Sequence, residues 1–318
     1  SSAPRDGDDV TVMLCAHNAA HTIGATLASI AGQTIKPGAV IVVDDGSTDE
    51  TSSVVEQWKG RLPIELVRLD PNRGVAAARI TAMEHTTTKL VAILDADDVW
   101  LPDHLTAMLA TLARSPGIVA AQPLEWIPGS GVALGAEPRR DVPPPADQLK
   151  VLLNHNFVFS GALFARADYD RVGGYRADLA VGEDWDLWIR LVRTGTIVTS
   201  TEHPTLLYRL GAESLSSGYS SAPSDVQVMQ LALDDAGDAR EHNWARRGLH
   251  RMKARLALSE ALEHARAGNA RATRRAAAHA VRGTPRVAVQ AAVLMVMPRL
   301  GIRARDRVAT LRRRVKRS

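Results

Sequence analysis

The chain has a single cysteine, Cys15, so no intramolecular disulfide can brace it and a reducing compartment suits it. Aromatic side chains are scarce at 4%, and within that small set six Trp outnumber three Phe and four Tyr. No run approaches the roughly 20 apolar residues that cross a bilayer, and Ser1 to Asp9 lack the apolar core of a signal peptide. These absences make the cytoplasm the expected location. Acids are nearly missing from one end: residues 245–318 hold 20 Lys/Arg against 3 acidic residues, whereas residues 1–244 hold 19 against 32. The net charge of +4 therefore hides a basic tail on an acidic body. Such a tail suits the anionic inner face of a membrane or another polyanion, or else folds back on the body. Nucleic acid is disfavoured, because no aromatic residue follows Trp244 to interleave with the basic ones.

What is present is alternation. Val10–Cys15, Ala39–Asp44, Ile64–Leu69 and Leu90–Asp95 read as buried strands, separated by helical patterns at His21–Gln33, Thr48–Trp58 and Gly74–His85. Ser47 and Glu50 have the spacing of a capping box. This order implies βαβ units and a mostly parallel sheet. Pro128, Gly129, Gly131, Gly135 and Pro143–Pro145 mark a long surface loop over residues 127–150. A strand-like stretch at Phe157–Phe164, a Gly173–Gly174 turn, a helix from about Asp184 to Arg193 and a strand pair within Ile197–Arg209 follow. The predicted division is a disordered segment 1–9, a domain over 10–222 and an Ala- and Arg-rich helical region over 223–318.

Carboxylates collect where open parallel sheets bind ligands, at the carboxyl ends of strands. Asp44 and Asp45 follow the second strand, and Asp95, Asp97 and Asp98 follow the fourth. Three acids within four residues repel one another unless a cation intervenes, and oxygen-only ligands suit Mg²⁺ or Mn²⁺. Capping of a helix begun at Leu101–Pro102 accounts for Asp98 or Asp103 and leaves Asp95 and Asp97 without a role.

Six segments in order, Val12–Asn18 (VMLCAHN), Val42–Thr51 (VVDDGSTDET), Asn72–Arg79 (NRGVAAAR), Leu94–Leu101 (LDADDVWL), Gly182–Leu191 (GEDWDLWIRL) and Tyr208–Arg209, resemble the motifs of the family 2 glycosyltransferases. The resemblance covers about residues 10–220. It implies the GT-A fold, a Rossmann-like α/β architecture with a mostly parallel mixed sheet flanked by helices, here followed by a basic helical appendage. The implied activity is inverting, non-processive transfer of one sugar from a nucleotide-diphosphate donor, with UDP favoured. The acceptor is a hydroxyl of a glycan, a lipid-linked glycan or a small molecule.

Carried over by residue, the resemblance implies that Asp45 accepts a hydrogen bond from the nucleobase beside Cys15, His17 and Asn18. Asp44 either supports that turn or touches the base itself. Asp95, next to Ala96, resembles the residue that meets the ribose, and Asp97 the one that ligates the metal between the phosphates. Gly74 opens a helix whose N-terminus offers N–H groups to an anion, and Arg79 projects from it toward the donor or is an ordinary surface arginine. Arg209, with Ser214 and Ser216, resembles a segment that closes over the diphosphate. Asp184, the second acid of Glu183–Asp184, resembles the general base, a role compatible with capping the helix that follows. Glu183, Trp100 and Trp185 fall on the acceptor side, and Trp188 in the core.

Several departures narrow the expectation. His17 stands where the family often has Tyr, so the resemblance leaves the nucleobase open. The absence of a Gln-x-x-Arg-Trp motif argues against a processive synthase. A nucleotidyltransferase needs a Gly-rich basic loop after the first strand, where this chain has His17-Asn18-Ala19-Ala20. A silent scaffold of the same fold has no need for Asp45, Asp95, Asp97 and Asp184 together. Val287–Met297, apolar between flanking arginines, reads as a helix in an anionic membrane interface, a core helix or a dimer contact.

Overall fold

The computed structural model describes residues 7–126, 133–134, 142–158, 160–209 and 222–296. The chain divides into two compact units, Ser1–Gly211 and Ala212–Ser318.

The first unit opens with β1 (Val10–Ala16), α1 (Ile23–Ala31), β2 (Ala39–Asp45), α2 (Thr51–Glu56), β3 (Ile64–Leu69), α3 (Val75–His85) and β4 (Leu90–Ile93). These four strands are parallel in the spatial order β3-β2-β1-β4. Val10 to Leu14 are all buried, as a strand covered on both faces requires, which is why the segment reads as an unbroken apolar run. Val10, Val12, Leu14, Val40 and Val42 pack against Ile23, Leu27 and Ile30 of α1. Each such side chain contributes on the order of 1.5–3 kcal/mol by leaving water.

The remaining elements are β5 (Val99–Trp100), α4 (His104–Arg114), β6 (Ile118–Trp126), β7 (Ala133–Leu134), α5 (Pro145–Leu152), β8 (Leu163–Ala165), α6 (Arg166–Arg171), α7 (Glu183–Arg193) and β9 (Val198–Arg209). They extend the sheet as β4-β8-β6-β9-β5, with β8 antiparallel to both neighbours, β9 parallel to β6, and β7 paired with β6. The result is a mixed α/β sheet with one parallel half, as expected.

Local details differ from the sequence reading. No capping box forms, because Asp44 Oδ1 accepts the Ser47 N–H and the Ser47 hydroxyl accepts the Asn18 N–H, which holds residues 46–50 in a turn and delays α2 to Thr51. Neither Asp98 nor Asp103 caps α4: Asp98 accepts the Arg209 N–H, and Asp103 pairs with His203 at 2.6 Å. Residues 7–9, expected within a disordered segment 1–9, form a 3-10 turn whose Gly7 carbonyl accepts the Gly38 N–H, and residues 1–6 lie outside the described residues. Residues 145–150 of the expected loop lie in α5, and its remainder falls largely outside the described residues. The expected strand pair is one twelve-residue strand, β9, which absorbs register shifts against β6 near Gln122 and Pro123.

The second unit contains α8 (Ala222–Asp234), α9 (Ala239–Arg266), α10 (Ala270–Ala280) and α11 (Pro285–Val296). Asp238 and Asn269 cap α9 and α10 by accepting the Glu241 and Ala272 N–H groups. Leu258, Ala261 and Leu262 of α9 pack on Ala277 and Ala280 of α10 and on Val287, Ala291 and Leu294 of α11. α11 thus has a core face, while Val289, Val293 and Val296 remain exposed. Among the described residues no helix is long and apolar enough to cross a membrane.

Candidate active site

The carboxyl ends of β1, β2 and β4 lie side by side where the strand order reverses, the place where open α/β sheets bind ligands. Asn18, at φ 50°, ties the first two loops together: its N–H donates to Ser47 Oγ, and its Oδ1 accepts the Thr48 N–H at 2.9 Å. Asp44 is fully buried, with its oxygens taken by the Ser47 N–H and the Ser52 hydroxyl. Both oxygens are thus engaged within the 44–52 segment. Gly46 is required there, since a Cβ would lie 2.5 Å from the Asn72 nitrogen.

Asp45 departs from expectation. Its two carboxylate oxygens accept the N–H groups of Arg73 (2.7 Å) and Gly74 (2.8 Å), and the residue is only 4% exposed. The anion at the α3 N-terminus is thus the protein's own Asp45, whose two oxygens take up those N–H groups. The open groups are the exposed His17, Asn18 and Asn72 side chains. His17 Nδ1 and the Asn72 amide both reach the Asp45 carbonyl at 2.8 Å, and the Asn18 amide lies 3.1 Å from His17 Nε2.

Arg79 also departs from its expected donor contact. It is buried at 7% exposure and faces three acids: Asp95 Oδ1 at 3.2 Å, Glu183 Oε1 at 2.6 Å and Asp184 Oδ2 at 3.9 Å. The Glu183 contact is an ion pair without hydrogen-bond alignment. Burial pushes Glu183 up to about 7, against the opposing pull of Arg79. Asp184 is raised by the same cause and is again opposed by Arg79. α7 begins at Glu183 after Gly182 in the left-handed region, so both acids sit in its first turn. Asp184 Oδ1 accepts the Trp185 N–H at 2.6 Å, and the Asn156 amide donates to Oδ2 at 3.4 Å. Burial lifts the Cys15 thiol to about 12, so it stays protonated and inert beside this cluster.

The Asp95–Asp98 turn is held from below. Ser160 Oγ accepts the Asp95 N–H, and the Thr26 hydroxyl bridges the carbonyls of Ala96 and Asp98. Arg209 clamps the turn with its N–H on Asp98 Oδ1 (2.9 Å) and its Nε on the Asp97 carbonyl (2.7 Å). Ser214 and Ser216 lie outside the described residues. Burial and the neighbouring Asp95 raise Asp97, and burial with Asp95 and Asp97 raises Asp98 well above the ordinary carboxylate range.

Residues 11–173 match the family model described as Glycosyl transferase family 2. The chain belongs to this family. It is 32% identical over 204 residues to the succinoglycan biosynthesis protein ExoU of Rhizobium meliloti, spanning 59% of this chain and 58% of that protein. It is 25% identical over 238 residues to WfgD of Escherichia coli, named a UDP-Glc:alpha-D-GlcNAc-diphosphoundecaprenol beta-1,3-glucosyltransferase, with 74% of this chain and 88% of that protein covered. Among solved structures, the S. aureus TarS fragment in complex with UDP-GlcNAc superposes with a TM-score of 0.63 at 18% identity, covering 92% of this chain and 88% of that one. The mannosyltransferase PcManGT of Pyrobaculum calidifontis, in complex with GDP-Man and Mn²⁺, superposes at 0.59 and 25% identity, covering 93% and 84%.

For this family 2 member, two expected acceptor-side residues are core residues instead. Trp100 is 2% exposed and stacks on His104 at 4.2 Å between centroids, and the buried Trp185 donates its indole N–H to the Leu152 carbonyl at 2.8 Å. Four residues around the site lie outside the six motifs: His21, whose charge favours the ionised form of Asp97; Asn156; Ser160; and Tyr175. Burial holds the Tyr175 hydroxyl well above its usual range, close enough to Arg79, Glu183 and Asp184 to feel all three. Its signal in the sequence is the preceding turn, since Gly174 at φ 71° leaves no room for a Cβ against the Tyr169 ring.

The acids fit a divalent cation. Two raised carboxylates within one turn, and an Asp98 oxygen buried without a hydrogen-bond partner, are groups that a nearby positive charge would stabilise. Among the described residues no three or more metal-ligating side chains are already assembled. A cation would therefore draw part of its shell from water or substrate phosphates, as Mg²⁺ does.

Proposed function

We propose that the chain is an inverting glycosyltransferase that moves one sugar from a nucleotide-diphosphate donor, UDP favoured, to a hydroxyl of a glycan or lipid-linked glycan. The carrying observation is Arg79, which joins Asp95 at the sheet edge to Glu183 and Asp184 at the head of α7. The acid expected near the donor and the acid expected to act as base thus share one buried cation.

Asp184 is the base. Its Oδ1 is fixed by the Trp185 N–H, which leaves Oδ2, beside Asn156, to take the acceptor proton. The acceptor oxygen forms its bond to the anomeric carbon as the bond from that carbon to the diphosphate oxygen breaks, releasing the nucleoside diphosphate. Burial raises Asp184 above an ordinary carboxylate, which makes it the stronger base. Asp97, with Asp95 beside it, would hold Mn²⁺ or Mg²⁺, which when bound neutralises the charge on the departing diphosphate. The names of ExoU and WfgD support a glycan or diphosphate-lipid acceptor, and a lipid-linked acceptor would draw the protein to a membrane surface.

Calorimetric titration with UDP, GDP and dTDP, each with and without Mn²⁺, tests the donor half, and Asp97→Ala should abolish the metal-dependent part. Asp184→Asn should cut transfer by roughly 10²–10⁴-fold while sparing nucleotide binding. Full transfer by that variant would remove Asp184 from the role of base.

A further inference from the structure

The second unit carries a site that sugar transfer does not use. A cleft of about 420 Å³ is bordered on one side by Arg246, Arg247, His250 and Arg251 of α9. The turn from α10 to α11, with Arg282, Gly283 and Thr284, forms the other side. Four arginines therefore line one opening. Among the described residues, the Arg246 side chain contacts only Asn243 Oδ1 at 3.3 Å, and neither Arg247 nor Arg282 meets a carboxylate. Burial and the charge of Arg247 both act against the charged form of Arg251.

The fold holds this cluster in place. His250 Nε2 donates to the Arg282 carbonyl at 2.8 Å, which pins the turn to α9. Gly283 allows the close approach, since a Cβ there would lie 2.8 Å from Ala254 Cβ and 2.9 Å from Val287 Cγ1. Thr284 immediately precedes α11 and its carbonyl accepts the Ala288 N–H, so the positive end of a twelve-residue helix borders the same opening.

Among the described residues Arg246, Arg247 and Arg282 have no acid beside them; like charges gathered in this way are stabilised by an anion, and the planar fork of arginine matches phosphate oxygens. We propose that this cleft binds a phosphate-bearing ligand with at least two negative charges, a diphosphate or a phosphomonoester. The group comes either free in solution or on a lipid headgroup. The proposal rests on the second unit alone and stands apart from the donor chemistry.

The test uses the full chain in EDTA, so that metal-dependent donor binding does not contribute. Inorganic pyrophosphate is titrated calorimetrically, and sedimentation is measured with phosphatidylcholine vesicles with and without phosphatidic acid. Arg247→Gln/Arg282→Gln removes two charges from the cleft, and Arg271→Gln/Arg275→Gln removes two exposed charges from α10 as the control. The cleft variant should lose about tenfold or more in pyrophosphate affinity or in phosphatidic acid-dependent sedimentation, with the control near wild type. Pyrophosphate binding would identify a free ligand, and vesicle binding alone a headgroup. Its unliganded Tm should equal or exceed that of wild type because repulsion is relieved, which separates loss of the site from loss of the fold. If the cleft and control variants bind both probes equally, the proposal is overturned.

Discussion

Arg79 Nη1 lies 2.6 Å from Glu183 Oε1, with both side chains nearly sealed from water, so one ion pair ties α3 to the first turn of α7. A cation in that position holds the acids of the site rather than reaching out to a ligand.

Arg79→Ala should therefore strand buried carboxylates and destabilise the protein by about 3–5 kcal/mol, with kcat falling alongside. Arg79→Lys should recover part of both. Thermal unfolding with steady-state kinetics checks this; a rise in donor KM alone, at unchanged stability and kcat, would return Arg79 to the donor phosphates.

Glu183 is held at about 7 against an ordinary 4.5, so between those values the folded chain keeps a proton that the unfolded chain releases. Its contribution is present in full below about 4.5 and is lost as pH rises through about 7. Glu183→Gln escapes that loss, and its stability relative to wild type should climb across this window by on the order of 3 kcal/mol. Denaturant titrations at several pH values measure the difference; parallel curves would mean that Glu183 is ionised beside Arg79 throughout.

Asp45→Ala should cost about 1–3 kcal/mol, because the Arg73 and Gly74 N–H groups lose their acceptor. Weaker nucleotide binding should follow from the displaced loop. An unchanged Tm with weakened nucleotide binding would show that Asp45 meets the base directly.

Asp98 and its neighbour Asp97 should separate cleanly. Asp98→Ala orphans the Arg209 N–H and should lower stability by about 1–3 kcal/mol. Asp97→Ala should leave stability within about 0.5 kcal/mol of wild type while removing Mn²⁺-dependent nucleotide binding, since its part-exposed carboxylate hydrogen-bonds to its own backbone rather than to a distant element.

The sequence by itself determined the frame. Apolar runs covered on both faces marked β1 and β2 to within a residue, the part-buried edge strand β3 has its expected bounds, and the acids after β2 had to lie at the carboxyl edge because these parallel strands all point the same way. It also placed Glu183 and Asp184 at a helix start, since the apolar periodicity begins there. Only the tertiary structure decided which of these polar groups remain open. Asp44, Asp45 and Asp98 read as ligand-binding acids or caps, yet their oxygens accept backbone N–H groups brought near by folding. Trp100 and Trp185 stand within the motifs in sequence but turn into the core, where burial of a large indole outweighs proximity to the site. Arg79 finds Glu183 only because α3 and α7 are brought together over a long stretch of chain. Periodicity is a local property that sequence records directly, whereas the partner of a buried charge is set by whichever distant element the sheet order places against it.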